Sequence, residues 1–192
     1  QMLSANFVDK NGALLFKPHA IFEAGGVRVG VIGLTLETIP EPILEKRAPG
    51  CKILDPFTAA VKSYETLRQK TDIIIALSHL KEDTNFSLIE KLKDLEIIID
   101  PCIQQGSHKT WLKEESEWLE EKNNTLFLRS DGQGARLGIV DVELCKNGKT
   151  LYSGARYDEL LDLVEFDEAD AQQEKETRSL SGKKLYLLLF LS

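Results

Sequence analysis

Asp72-Ile73-Ile74-Ile75-Ala76-Leu77-Ser78-His79, residues 72–79, is the stretch of sequence that decides the fold. Its apolar residues run without alternation over the length of a short strand, as in strands that are covered on both faces of a parallel sheet. Just upstream, Asp55-Pro56 supplies an N-cap acceptor and a ring suited to the first helical position, and apolar residues at helical spacing follow. A helix over about residues 56–70 is therefore predicted to lead into a buried strand over residues 73–77.

A second helix and a second buried strand are predicted further along the chain. The helix is expected to start near Asp83 or Thr84, because apolar residues then recur at helical spacing. Residues 96–100 have the composition of another buried strand. A right-handed crossover makes the two strands parallel, so the loops that follow them leave the same edge of the sheet. His79 and His108 are expected on those neighbouring loops.

Hairpins flank this βαβ unit in the predicted architecture. Gly25-Gly26 separates two β-rich runs, and Asn147-Gly148 separates two more; both dipeptides suit two-residue turns with positive φ angles. A further helix is predicted at residues 111–122 and a strand at residues 125–130. The predicted fold class is thus α/β, of the α+β sandwich type.

The predicted domain organisation has two parts. Residues 1–157 are expected to form one domain. Residues 158–192 are expected to form an acidic linker or tail with a short apolar end, because they carry no pattern that would bury much surface.

The composition narrows the class of protein. A formal net charge of -7, without any cluster of Lys and Arg, argues against a nucleic-acid partner. No apolar run approaches the roughly 20 residues that a membrane-spanning helix needs. Three widely spaced cysteines give neither a disulfide framework nor a zinc knuckle. We therefore expect a soluble, globular body without a membrane span.

Histidines are the first candidates for chemistry, because the chain contains only three. His19 has no potential ligand group nearby, so a surface or strand-edge position is expected. His79 follows a buried parallel strand, at the edge where open α/β sheets bind ligands, and an imidazole there can coordinate zinc or manganese. His108 follows the next strand. Two imidazoles alone do not hold a catalytic metal, and a structural role for both stays open.

Carboxylates near predicted strand ends could complete such a site. Asp83 is better suited to a helix cap and Asp131 to a turn, whereas the sequence leaves the role of Asp100 open. Neither a nucleophile elbow nor a phosphate-binding glycine loop is present, since the glycines at 25–30 precede a strand rather than a helix. A dinucleotide-binding site is therefore not predicted.

Several segments, in this order and spacing, resemble the 5'-nucleotidase and UDP-sugar hydrolase branch of the calcineurin-like metallophosphoesterases. They are Leu3-Ser4-Ala5-Asn6, Lys17-Pro18, residues 26–35 (GVRVGVIGLT) and residues 72–80 (DIIIALSHL). Residues 125–144 are similar to the stretch that closes the family's catalytic domain. The resemblance covers about residues 3–157 and implies a partial metallophosphoesterase fold, the later part of that domain.

The resemblance also implies a site. The family builds a dinuclear metal site from five blocks: Asp-x-His, Asp, Gly-Asn-His-Glu, a His after a buried strand, and Gly-His-x-His. His79 matches the fourth block, and the first three belong upstream of Leu3. In the fifth block His108 matches the second histidine, whereas Gly106 stands at the first, where it offers no side chain to a metal.

A reaction and its requirements follow from the same resemblance. A pair of divalent cations such as zinc or manganese is implied as the cofactor, with a nucleotide or another phosphoester as the substrate. An extracytoplasmic or secreted location is implied as well. Without the first three blocks this chain alone is expected to be inactive, as part of a longer enzyme. A sheet edge left exposed by the missing strands is expected to promote self-association.

Two alternatives stay open at this point. One is a non-catalytic member of the family that keeps the fold for binding or assembly, as the altered loop at residues 101–108 suggests. The other is an unrelated α/β binding module in which both histidines are structural.

Overall fold

The computed structural model describes residues 2–100, 119–129, 136–144, 150–159 and 183–190. The chain divides into two compact units, Gln1–Ser130 and Asp131–Ser192. Within the described ranges, none of the helices has the length and apolar character that crossing a bilayer requires.

The first unit is built on a mixed sheet. Its strands and helices are, in chain order, β1 (Phe7–Val8), β2 (His19–Ala24), β3 (Val27–Leu34), α1 (Glu41–Arg47), β4 (Lys52–Ile53), α2 (Pro56–Leu67), β5 (Ile73–Ser78), α3 (Glu82–Lys91), β6 (Ile97–Asp100), β7 (Leu119–Lys122) and β8 (Thr125–Arg129). Six strands form the sheet, in the order β2-β3-β5-β6-β8-β7, and β1 pairs with β4 separately. The four inner strands are parallel, and the outer strands β2 and β7 are antiparallel to their neighbours.

The predicted βαβ unit is confirmed. β5 and β6 are parallel neighbours joined by α3, and α2 joins β3 to β5 in the same way. α2 starts as expected, because the Asp55 carboxylate accepts a hydrogen bond from the Thr58 backbone N–H at 2.8 Å. α3 starts without a side-chain cap at Lys81, and Asp83 lies inside its first turn rather than capping it. The α/β class predicted from the sequence is therefore confirmed.

One face of the sheet packs on α2 and α3. Helical spacing turns Ala60, Tyr64 and Leu67 inward from α2, and Leu88 and Ile89 inward from α3. They form one buried cluster with residues at alternate positions of the central strands: Ile32, Leu34, Ile74, Ala76, Ile98 and Phe127. Each of the larger side chains contributes about 1.5–3 kcal/mol to folding when fully buried.

The strand that decides the fold is covered on both faces over most of its length. Ile73 and Ile75 point away from the helix-covered face, and both are buried. Leu77, on the same face, is 44% exposed. The prediction of a doubly covered parallel strand is therefore confirmed up to Ala76, and the cover thins just before His79.

Glycines in and beside β3 allow a tight turn and a close backbone approach, and the Gly25-Gly26 turn was predicted from the sequence. Gly25 and Gly26 form the turn of the β2–β3 hairpin with φ angles of +58° and +74°, which side chains rarely adopt. Gly33 lies against the backbone of the N-terminal segment: a Cβ at this position would be 2.5 Å from the Leu3 carbonyl oxygen. Only glycine allows this close approach.

The helix predicted at residues 111–122 is wrong at its end. Leu119–Lys122 forms β7 instead, paired antiparallel with β8. The turn between them is Asn123-Asn124, with φ angles of 53° and 63°, and Asn is the side-chain-bearing residue that best tolerates this conformation. The Asn123-Asn124 turn therefore determines the local structure, and the helical spacing of the residues before it does not. Residues 111–118 lie outside the described part of the chain.

The second unit contains three antiparallel strands. β9 (Arg136–Leu144) lies between β10 (Thr150–Glu159) and β11 (Lys183–Phe190). β9 and β10 pair as predicted, whereas the Asn147-Gly148 turn itself lies outside the described residues. The apolar end of the predicted tail forms β11 and pairs with β9 over its whole length. The predicted domain boundary at residue 157 stays a prediction.

Candidate functional site

His79 lies immediately after β5, at the carboxyl edge of the parallel strands. Its backbone N–H donates a hydrogen bond to the Leu34 carbonyl oxygen at 2.9 Å, which extends the β3–β5 pairing by one residue. The neighbouring Ser78 and Leu80 are buried, whereas His79 is half-buried. No described residue donates to or accepts from its imidazole. The described structure thus fixes the position of His79 through its backbone.

A series of hydrogen-bonded, buried polar side chains starts at Ser78, the residue before His79. The Ser78 hydroxyl donates to Asn85 Oδ1 at 2.6 Å, and Asn85 Nδ2 donates to Asp100 Oδ2 at 3.1 Å. All three side chains are buried, Asn85 completely. Ser78 ends β5, Asp100 ends β6, and Asn85 belongs to the first turns of α3. The role of Asp100, which the sequence left open, includes this bridge between strand ends.

Glu37 ties the loop after β3 to the loop that carries His79. Its carboxylate accepts from the Lys81 backbone N–H at 3.1 Å, and the Lys81 ammonium lies 3.6 Å from it. Burial alone would raise the pKa of Glu37, but hydrogen bonds from Thr84 and Lys81 outweigh it and lower the pKa. Glu37 therefore stays ionised at neutral pH and holds both loops.

Arg129, the last residue of β8, forms ion pairs with the neighbouring elements α3 and β7. Its guanidinium lies 3.2 Å from Glu82 of α3 and 3.1 Å from Glu120 of β7, and it stacks 4.4 Å from the Phe127 ring centroid. Arg129 is the register neighbour of Asp100 on β6. Glu82 thus joins the first turn of α3 to β8. Thr84 and Asn85, further along α3, bond instead to Glu37 and to the ends of β5 and β6.

Asn6 organises the loop after β3. Its side chain accepts from the Thr35 N–H at 2.9 Å and donates to the carbonyl oxygens of Thr35 at 3.2 Å and Leu36 at 3.4 Å. Asn6 is completely buried. The Ser-Ala-Asn segment singled out in the sequence therefore fixes the chain as it leaves β3, next to the His79 loop.

The described residues contain one of the candidate metal ligands, His79, and no complete metal site. No group of three or more His, Cys, Asp or Glu side chains that could hold a metal ion occurs among them. His108 and the rest of the loop at residues 101–108 lie outside the described residues, as does Asp131. His19 lies on β2, where burial and the charge of Lys70 lower its pKa. It belongs to no group of described side chains that could hold a metal ion.

Sequence reasoning missed Asn85 and Glu37. Asn85 falls on the inward stripe of α3, three residues before Leu88, and a polar residue on such a stripe was a usable signal. Glu37 gave no such signal, since it lies in a loop and its contacts depend on the β3–β5 pairing.

Comparisons with known proteins agree with this geometry. No family model matches the chain. A 5'-nucleotidase of Vibrio cholerae is 39% identical over 82 residues, which is 41% of this chain and 15% of that protein. The trifunctional nucleotide phosphoesterase YfkN of Bacillus subtilis is 27% identical over 135 residues, 68% of this chain and 8% of YfkN. The matches thus span a small part of these relatives.

A solved structure shares the fold. The calcineurin-like phosphoesterase YfkN from Bacillus subtilis superposes with a TM-score of 0.60 at 19% identity, over 91% of this chain and 61% of that one. The chain therefore shares its fold with this phosphoesterase structure. In sequence, it resembles part of the 5'-nucleotidases and nucleotide phosphoesterases.

Proposed function

We propose that this chain is part of a metal-dependent phosphoester hydrolase that acts on nucleotides. The observation that carries the proposal is the position of His79, half-buried at the carboxyl edge of the parallel strands with its backbone fixed and its ring unoccupied by described hydrogen-bond partners. The similarity to nucleotide phosphoesterases supports the substrate class.

His79 would be one ligand of a pair of divalent cations, zinc or manganese, and His108 would be a second. Such cations activate a water molecule and neutralise charge that develops on a phosphoryl group. The chain's own part is to hold the His79 imidazole at a fixed place. Ser78, Asn85 and Glu37 do this by joining the β5 loop to its neighbours on both sides.

This chain alone should be inactive, because its 192 residues contain neither an Asp-x-His nor a Gly-Asn-His-Glu block. The sequence encoded upstream of Gln1 tests the proposal directly: both blocks are expected there, and their absence would contradict an enzymatic role. An extracytoplasmic location is proposed on the same resemblance, and a leader sequence on the gene product would support it.

A non-catalytic family member is the second candidate. Gly106, where the family has a metal-binding histidine, favours it. The full gene product, assayed with nucleoside 5'-monophosphates and Mn²⁺ or Zn²⁺, separates the two. Turnover that His79→Ala abolishes and His19→Ala preserves supports the hydrolase. Absence of turnover with either metal supports the non-catalytic member.

A further inference from the structure

The pairing between β5 and β6 stops just before the candidate site. Only three residue pairs connect these strands, and the last of them is Leu77 with Ile99. One residue further on, Ser78 and Asp100 are linked through the Asn85 side chain instead of through the backbone. Asn85 therefore joins the end of β5, which directly precedes His79, to the end of β6.

We propose that Asn85 is a positioning residue for His79, which fixes the separation between the ends of β5 and β6. The proposal deepens the proposed function and rests on it, because His79 can serve as a metal ligand only if the strand end that carries it keeps a constant place. Among the described residues, Asn85 bonds to Ser78 and Asp100, and it acts on His79 through Ser78.

An amide suits this place chemically. Its oxygen accepts from the Ser78 hydroxyl while its nitrogen donates to the Asp100 carboxylate, so one side chain satisfies a donor and an acceptor that are both buried. A carboxylate at position 85 could not donate to Asp100, and an aliphatic side chain could do neither. Ser78, whose hydroxyl donates to the amide oxygen, tests one half of the bridge separately.

Asn85 is itself held in place by the turn that bears it. Thr84 donates to Glu37, which also accepts from the Lys81 backbone, and Glu82 is paired with Arg129 of β8. The first turns of α3 are thus attached to β3, β5, β6 and β8 together. These contacts hold the first turns of α3 at the strand ends that Asn85 joins.

The test uses the whole chain, isotopically labelled, with Mn²⁺ as the probe. The chain contains three histidines, so the imidazole resonances can be followed individually. Two quantities are measured: the Mn²⁺ concentration that broadens the His79 ring resonance, and the exchange rate of the His79 amide, which is bonded to Leu34. The amide of Ile75 in the same strand serves as an internal reference for global unfolding.

The variants are Asn85→Leu and Ser78→Ala, with Thr125→Val as the matched control. Thr125 also has a buried hydroxyl, bonded to the Leu95 carbonyl oxygen at 2.7 Å, but at the opposite edge of the sheet. Asn85→Leu should need at least about tenfold more Mn²⁺, the loss typical of residues that orient a metal ligand. Ser78→Ala should also need more Mn²⁺ than the unmodified chain, and Thr125→Val should need the same Mn²⁺ concentration as the unmodified chain.

The Mn²⁺ measurement tests the metal-binding role of the chain, and the amide-exchange measurement tests the positioning role of Asn85. If Mn²⁺ fails to broaden His79 even in the unmodified chain, the metal-binding role of this chain is contradicted, and the exchange arm still decides on Asn85. Exchange of the His79 amide that is at least about tenfold faster in both variants, relative to Ile75, supports the positioning role. Equal exchange and equal Mn²⁺ response in all four proteins overturn it.

Discussion

Glu96→Gln should stabilise the protein at neutral and alkaline pH. Glu96 precedes β6 at the edge opposite to His79, where its carboxylate accepts from the Ile74 backbone N–H at 2.6 Å. Burial, with a further contribution from the charge of Asp94, raises the pKa of Glu96 to about 7, against hydrogen bonds from Ile74 and its own N–H that lower it. At pH 8 the protein therefore holds a partly buried negative charge.

The sign and size of the effect follow from proton linkage. The folded state holds the Glu96 proton more tightly than the unfolded state, in which the pKa is near its ordinary value of 4.5. The stability that Glu96 contributes is therefore fully present below pH 4.5 and is lost as the pH rises through 7. At about 1.4 kcal/mol per pH unit, the difference of about 2.5 units between 4.5 and 7 gives a loss of at most about 3.5 kcal/mol, and water around a partly buried group reduces it to about 1–3 kcal/mol.

Urea unfolding followed by circular dichroism at several pH values measures this difference. Glu96→Gln keeps an acceptor for the Ile74 N–H without the charge, so it should match the unmodified protein near pH 4.5 and exceed its unfolding free energy by about 1–3 kcal/mol at pH 8. Glu121→Gln on the exposed side of β7 is the control and should change stability by less than about 0.5 kcal/mol. A difference that stays constant from pH 4.5 to pH 8 would refute the reasoning.

Two further predictions concern the edges of the first unit. Gly33→Ala should lower the unfolding free energy by about 1–3 kcal/mol, because its Cβ would meet the Leu3 carbonyl oxygen at 2.5 Å. Equal urea midpoints for Gly33→Ala and the unmodified chain would contradict the close contact. The chain should self-associate through β2, an outer strand whose Ile21 and Phe22 are 45% and 47% exposed. Sedimentation should show weaker association for Ile21→Lys, whereas Ile43→Lys on α1 should associate like the unmodified chain. A monomer at all concentrations would count against this prediction.

The central part of the fold could be predicted because its signals are local. An uninterrupted apolar run, an Asp-Pro helix start and a Gly-Gly turn each act over a few residues, and β5, α2 and the β2–β3 hairpin formed where these signals lay. The short elements α1, β1 and β4 were not predicted, because α1 buries no residue and the two strands have two residues each. Their conformation depends on neighbours distant in sequence.

The candidate site was predictable only in its position. The strand order places His79 at the carboxyl edge, and this part needed no side-chain information. The bridge through Asn85 and the contact of Glu37 with Lys81 depend on how far each helix and loop reaches, which periodicity does not encode. The Asn123-Asn124 turn shows the opposite case, in which a local signal was present and the helical spacing of the residues before it was given more weight.

The Asn6 side chain has a consequence for the order of folding. The β2–β3 hairpin closes over a two-residue turn, so it can form quickly from residues that are adjacent in the chain. Asn6 bonds to Thr35, 29 residues away, and can do so only after β3 has taken shape. During synthesis the Ser4–Asn6 segment leaves the ribosome before β3, the strand on which it docks. The loop beside His79 is therefore ordered late, by a segment that was made early.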